Sequence, residues 1–184
     1  GPSNNVVSAL NLNIVGISGS GEMMYLTEGE LPNRTFTMQW LNFQYSGATG
    51  NGDNFNFQIK LYENGNKIEF HYGNFLKNAT NRTAQVGLRG ASNADVINRS
   101  VITGTNTWET SVPGTINTAS CALATTNLPT DGLVYTWAIV EQTYQSSTVE
   151  QVTGYVLQGS TDQAIINIKV VMEGALVPLN LTSL

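Results

Sequence analysis

Between Phe55 and Tyr72 the chain reads FNFQIKLYENGNKIEFHY. Phe55, Phe57, Ile59 and Leu61 fall on one side of a pleated strand, and Asn56, Gln58, Lys60 and Tyr62 fall on the other. Where the alternation stops, Asn64-Gly65 is the pair that best tolerates the positive φ angles of a type I′ turn. Ile68, Phe70 and Tyr72 then resume the apolar side. The pattern predicts a hairpin with one buried face and one wet face.

Other segments repeat the theme. Thr35–Tyr45 is apolar at Phe36, Met38 and Trp40 and then at Leu41, Phe43 and Tyr45, a one-residue slip that predicts a bulge near Trp40-Leu41. Shorter strands are expected over 23–27, 83–89, 96–103, 119–125 and 133–140, each bounded by Gly, Asn, Pro or Ser clusters. Residues 6–14 read as a short helix or an irregular edge segment, with asparagines weakening both. No amphipathic helix separates the strands, so the fold class is all-β: an antiparallel β-sandwich of jelly-roll or lectin-like kind.

Near Tyr144 the pattern changes. QSSTVEQVTGY opens a polar, β-branched run, followed by AIINIKVVM and an apolar tail, ALVPLNLTSL. We therefore expect a sandwich module over 1–140, with 141–184 forming extra strands or the start of a second β module. Uncovered Leu and Val in the tail predict strand pairing with another chain or domain.

Composition narrows the function classes. Charged residues are 11% of the chain, with 8 Lys+Arg and a net charge of -5, so no basic stripe exists to neutralise phosphates. That argues against nucleic acid and against an acidic membrane surface as partners. No apolar run reaches the length of a membrane span, which argues against membrane insertion. The single cysteine, Cys121, leaves no internal disulfide framework and is expected in the core beside Leu123.

Candidate chemistry is sparse. Glu69 and His71 lie two apart on IEFHY and share a face, the geometry that could begin a metal site or an acid–base pair. His71 is the only histidine, however, and two donors do not complete a zinc shell. A serine triad would have to recruit the same histidine, and GISGSGE lacks the strand-to-helix elbow of a nucleophilic serine and the lysine of a phosphate loop. The loop SGATGNGDNFNF offers Asn51, Asp53 and Asn54 as oxygen donors for calcium. For a ligand that stacks on a ring, Trp40 and Trp137 lie in strand patterns and are expected in the core. Trp108, in TGTNTWET, is the expected exposed platform, with Tyr45 and Tyr62 beside it and Asp53 and Asn54 as polar partners.

Four motifs carry a family resemblance: NVVSAL, PNRTFTMQWLNF, FNFQIKLYENGNKIEFHYG and AQVGLRG. Together they resemble the repetitive, distantly nidogen-like β-sandwich modules of large Bacteroidetes proteins secreted by the type IX system. ASCALATTNLP and LVYTW are similar to the closing strands of such a module, so the resemblance spans about 5–138. Residues 161–184 resemble the start of a BNR (sialidase)-associated module. The resemblance implies an extracellular or cell-surface location and a non-catalytic role in adhesion, glycan contact or spacing, with a glycan or surface protein as partner. The alternative is an accessory domain of a secreted glycosidase or protease whose catalytic unit lies elsewhere. In the group a strand-rich segment precedes NVVSAL; its absence here implies a sheet edge filled by another chain or by the residues after Glu141.

Overall fold

The computed structural model describes residues 4–78, 80–138, 143–154, 158–159, 161, 164 and 166–173. The chain divides into two compact units, Gly1–Trp137 and Ala138–Leu184. Apart from one 3₁₀ turn at Ser46–Ala48, every regular element among the described residues is a strand. In chain order they are β1 (Val6–Asn11), β2 (Ile14–Gly16), β3 (Glu22–Glu28), β4 (Thr35–Tyr45), β5 (Phe55–Tyr62), β6 (Ile68–Tyr72) and β7 (Arg82–Arg89). There follow β8 (Val96–Ser100), β9 (Val112–Pro113), β10 (Cys121–Leu123), β11 (Val134–Trp137), β12 (Thr143–Gln151) and β13 (Ile166–Glu173).

The first unit is an antiparallel sandwich. One sheet runs β11-β6-β5-β4-β2, with β3 also on β4; the other runs β1-β7-β8-β9, with β10 also on β7. The hairpin β5–β6 lies near the centre of the first sheet, pairing Phe57 with Tyr72 and Ile59 with Phe70. Its apolar side is the core side: Phe55, Phe57, Phe70 and Tyr72 are all buried. Against them the second sheet supplies Ala84, Val86, Cys121 and Leu123, and the loops supply Phe75 and Trp108. Burial of this cluster is the main driving force for folding the unit. It also pushes the Cys121 thiol up to about 12, which keeps it a protonated core group.

The hairpin turn differs from the expected one. Positive φ angles occur at Gly65 (77°) and Asn66 (45°) rather than at Asn64, and the ladder closes with the Tyr62 N–H donating to the Lys67 carbonyl. Residues 63–66 thus form a four-residue loop. Glu63 accounts for the difference, because its N–H donates to the Arg34 carbonyl and its carboxylate grips the Arg34 guanidinium at 2.7 Å. Those bonds draw the first loop residue toward the start of β4 instead of into a tight turn.

The slip in β4 is a bulge. Trp40 pairs with Phe57 and Phe43 with Phe55, so Leu41 and Asn42 together oppose Asn56. Asn42 absorbs the distortion with φ of 56°, a left-handed conformation that asparagine tolerates better than most residues. Residues 6–11, expected as a helix or irregular edge, form a strand paired with β7. A register shift between Ser8 and Asn11 places consecutive Ala9 and Leu10 in the core, which broke the alternation that would have marked the strand.

In the second unit β12 and β13 form an antiparallel pair from Thr143 opposite Glu173 to Gln151 opposite Ile166. Tyr144, Val149, Ile166, Ile168 and Val170 are exposed on it. The expected strand in the apolar tail lies outside the described residues.

Candidate functional site

The side of the hairpin turned away from the core assembles a dense polar array. Register puts Gln39, Gln58 and His71 in one row across β4, β5 and β6, with Lys60 and Glu69 side by side in the next. Gln58 Nε2 donates to the Gln39 side-chain oxygen, Oε1, at 2.6 Å. That bond leaves the Gln39 NH₂ and the Gln58 oxygen without a protein partner among the described residues.

Beside this row the bulge organises three asparagines into a ring. The Asn42 N–H donates to Asn56 Oδ1 (2.8 Å), Asn56 Nδ2 donates to Asn54 Oδ1 (3.0 Å), and Asn54 Nδ2 donates to Asn42 Oδ1 (3.0 Å). Asn56 also donates to the Asn74 carbonyl at 2.7 Å. A bulge leaves a backbone amide outside the ladder, and here the Asn56 side chain accepts from it. The row and the ring border an open concavity of ≈ 520 Å³. Trp40 also borders it, but its ring is stacked on Phe57 at 4.8 Å.

At the other end of the face sits a charged cluster. Glu69 Oε2 accepts from the Tyr62 hydroxyl at 2.7 Å and meets His71 Nε2 at 2.8 Å, while Oε1 meets Lys67 Nζ at 2.9 Å. Partial burial by itself would raise the Glu69 carboxyl, but bonds from Lys67, Tyr62 and His71 outweigh it and hold the group down at about 2. The same bond to Glu69 pushes Tyr62 up to about 12. Because the folded value of Glu69 lies below its ordinary 4.5, it contributes stability above pH 4.5 and loses that contribution as pH falls through about 2. Glu69→Gln is therefore expected to unfold earlier than wild type in denaturant at neutral pH, with the gap closing on acidification to about 2. A gap of constant size across that range would contradict the assignment.

Glu69 and His71 do share a face, yet their partners make a self-satisfied ionic cluster. Among the described residues no group of three or more His, Cys, Asp or Glu side chains is placed to hold a metal ion.

The expected ligand residues are distributed otherwise than the sequence implied. Trp108 is not an exposed platform: its ring is fully buried, its indole N–H donates to the Ala122 carbonyl at 2.9 Å, and it lies edge-on to Tyr72. The polar flanks hid this burial. Thr107 and Thr110 bond each other and bend the loop so that the ring turns inward. Tyr45 is half-buried, with the Arg82 guanidinium 3.5 Å above its ring. Tyr62 does lie on the polar face, with Lys67 Nζ 3.8 Å from its ring centre.

Asn51, Asp53 and Asn54 do not converge as a calcium loop. Asp53 is buried, and both of its carboxylate oxygens accept from Lys77 Nζ at 3.1 Å. The Asn78 N–H adds a further bond to Oδ1 at 2.7 Å. Asn51 Oδ1 accepts from the Asp53 backbone at 2.9 Å, and Asn54 belongs to the asparagine ring. A calcium ion needs several free oxygens directed at one point, whereas this carboxylate is already matched by an ammonium. Asn54 is the one expected residue that reaches the concavity. Its companions Asn42, Gln39 and Gln58 were legible only as members of a wet face, and His71 only as a partner of Glu69, since cross-strand register is needed to bring them together.

No curated protein and no solved structure gives a match to the chain. The family model described as NIDO related matches residues 2–139, which spans the whole sandwich. Both the extent of that match and the nidogen-like strand motifs agree: the chain belongs to the NIDO-related family.

Proposed function

We propose that the protein is a contact module that engages hydroxyl-rich ligands, glycans in the first instance, through the amide-lined outer face of β4, β5 and β6. The NIDO-related family is a non-catalytic type of extracellular module found in larger proteins, and among the described residues no helix is long and apolar enough to cross a membrane. The observation that carries the reading is the row Gln39–Gln58–His71 at an open concavity beside an asparagine ring that is rigidly bonded to itself. Side-chain amides both donate and accept, as sugar hydroxyls do. At the concavity the aromatic residues Trp40, Phe57 and Tyr72 pack with the core, which makes hydrogen bonding, rather than stacking, the source of recognition there. Affinity would be modest, because an open polar face buries little apolar area.

A glycan array probed with the 184-residue chain, followed by titration of any hit, tests this. Gln39→Ala and Gln58→Ala should each weaken binding by about tenfold or more with little change in the unfolding midpoint, since neither belongs to the Glu69 cluster. An array with no hits, or hits indifferent to both substitutions, would leave adhesion through another surface or a spacer role in its place.

A further inference from the structure

Among the described residues β3 has one ladder partner, β4, so its other edge borders the first sheet. All seven of its residues are exposed. Register shows how little covers it. Met23 and Tyr25 lie opposite Trp40 and Met38, on the core side of the sheet, yet Trp40 packs against the core while Met23 is 62% and Tyr25 77% exposed. The second sheet does not extend over β3. The Tyr25 ring lies beside that of Phe36, with centroids 6.2 Å apart, and both are open to solvent on their other side. On the outer side Met24 and Leu26, opposite Gln39 and Thr37, are exposed as well. The strand therefore offers apolar side chains on both faces of an open backbone edge.

Exposed apolar edges are ordinarily blunted by proline, lysine, a bulge or a covering segment, because their free N–H and C=O groups template pairing with another chain. The segment EMMYLTE has no proline and no lysine, and it pairs with β4 without a register break. Charge decides which strand fits beside it. Glu22 and Glu28 end the segment and Glu30 follows, and none of the three has an ion-pair partner among the described residues. A second copy paired antiparallel about Tyr25 would set Glu22 against Glu28 at both ends, and a parallel copy in register would set each glutamate against its equivalent. Like charges directly opposite one another destabilise a strand pair, and a net charge of -5 on each chain adds to the repulsion. A cation at each end of the incoming strand turns both contacts favourable. Glu22 and Glu28 are about 20 Å apart along the strand, so a heptapeptide spans them.

We propose that the β3 edge binds an extended segment of a partner protein, apolar in its centre and carrying Lys or Arg at both ends, which joins the first sheet as a further strand. Main-chain hydrogen bonds supply affinity, Met23 and Tyr25 on one face and Met24 and Leu26 on the other receive the central side chains, and the two glutamates select the ends. Recognition runs through backbone and apolar contacts, so this edge stands or falls independently of the amide-lined concavity.

The test titrates the isotope-labelled 184-residue chain with three capped peptides, following the backbone amide resonances of β3 and the anisotropy of a dye on each peptide. The first is Lys-Val-Thr-Val-Thr-Val-Lys, the second has glutamate at both ends, and the third is the first with proline at its centre. The lysine-ended peptide should shift the β3 amides and bind at least about tenfold more tightly than either of the others. Tyr25→Lys should weaken it by about tenfold or more, and Glu22→Gln with Glu28→Gln should remove the preference for lysine ends. Unmoved β3 amides, equal binding of the three peptides, or binding unchanged in Tyr25→Lys would overturn the proposal. Sedimentation showing a dimer of the chain that Tyr25→Lys dissolves would overturn the choice of partner in favour of a second copy. Should Tyr25→Lys fail to fold, the wild-type amide shifts and the three-peptide comparison still decide.

Discussion

Lys77→Met is expected to destabilise the sandwich by about 3–5 kcal/mol, because it strands a buried carboxylate without its counter-ion. Asp53 and Lys77 have side-chain exposures of 0% and 1%, so solvent cannot take over the role of either partner. The pair is supported on both sides: Lys77 Nζ also donates to the Asn78 carbonyl at 3.0 Å, and the Asn78 N–H donates to Asp53. It ties the loop before β5 to the segment after β6, next to the bridge between Asn54 and Leu76. Replacing both partners with apolar residues of similar size, Asp53→Leu with Lys77→Met, should recover much of the loss, since no isolated charge then remains inside. Chemical denaturation of the two single variants and the double variant closes the cycle. Additive losses would show that the two groups do not act as a pair.

The second large effect belongs to Trp108. Trp108→Ala is expected to cost about 3–5 kcal/mol, the usual range for deleting a buried aromatic ring and leaving a cavity. The ring stands parallel to Tyr135 at 6.3 Å and edge-on to Tyr72 at 5.3 Å, and the Tyr135 hydroxyl donates to the Trp108 carbonyl. Removing the indole therefore takes away the packing partner of two other buried aromatics. Trp108→Phe should be milder, at about 1–3 kcal/mol, because it keeps most of the ring but leaves the Ala122 carbonyl without its donor. Urea midpoints of the two variants provide the measurement. A loss for Trp108→Ala of under about 1 kcal/mol would mean that the ring is not held in the core.

How far the sequence revealed this molecule depends on the range of the interaction concerned. The hairpin, the β4 slip and the burial of Cys121 were legible because each is written in residues two apart on one strand. What depends on distant partners was not. The side-chain role of Asp53 is set by Lys77, 24 positions away, and nothing in GNGDNF distinguishes a core ion pair from a calcium ligand. Trp108 misled for a related reason, since its neighbours in TGTNTWET are surface-like and only the fold of the loop turns the ring inward. The Gln39–Gln58 contact depends on register between strands, which local alternation leaves open. The turn at residues 63–66 was displaced by Glu63 reaching back to Arg34, again a contact invisible to short-range pattern.

The positive φ at Asn42 has a wider consequence for how substitutions along β4 should be judged. Trp40 before the bulge and Tyr45 after it both pack against the core, five positions apart, so one strand obeys two opposite parity rules. Any tolerance map for this segment should change phase at that asparagine. A shortening by one residue there would transpose inside and outside for everything on one side of it, turning an interior of rings outward at a single stroke.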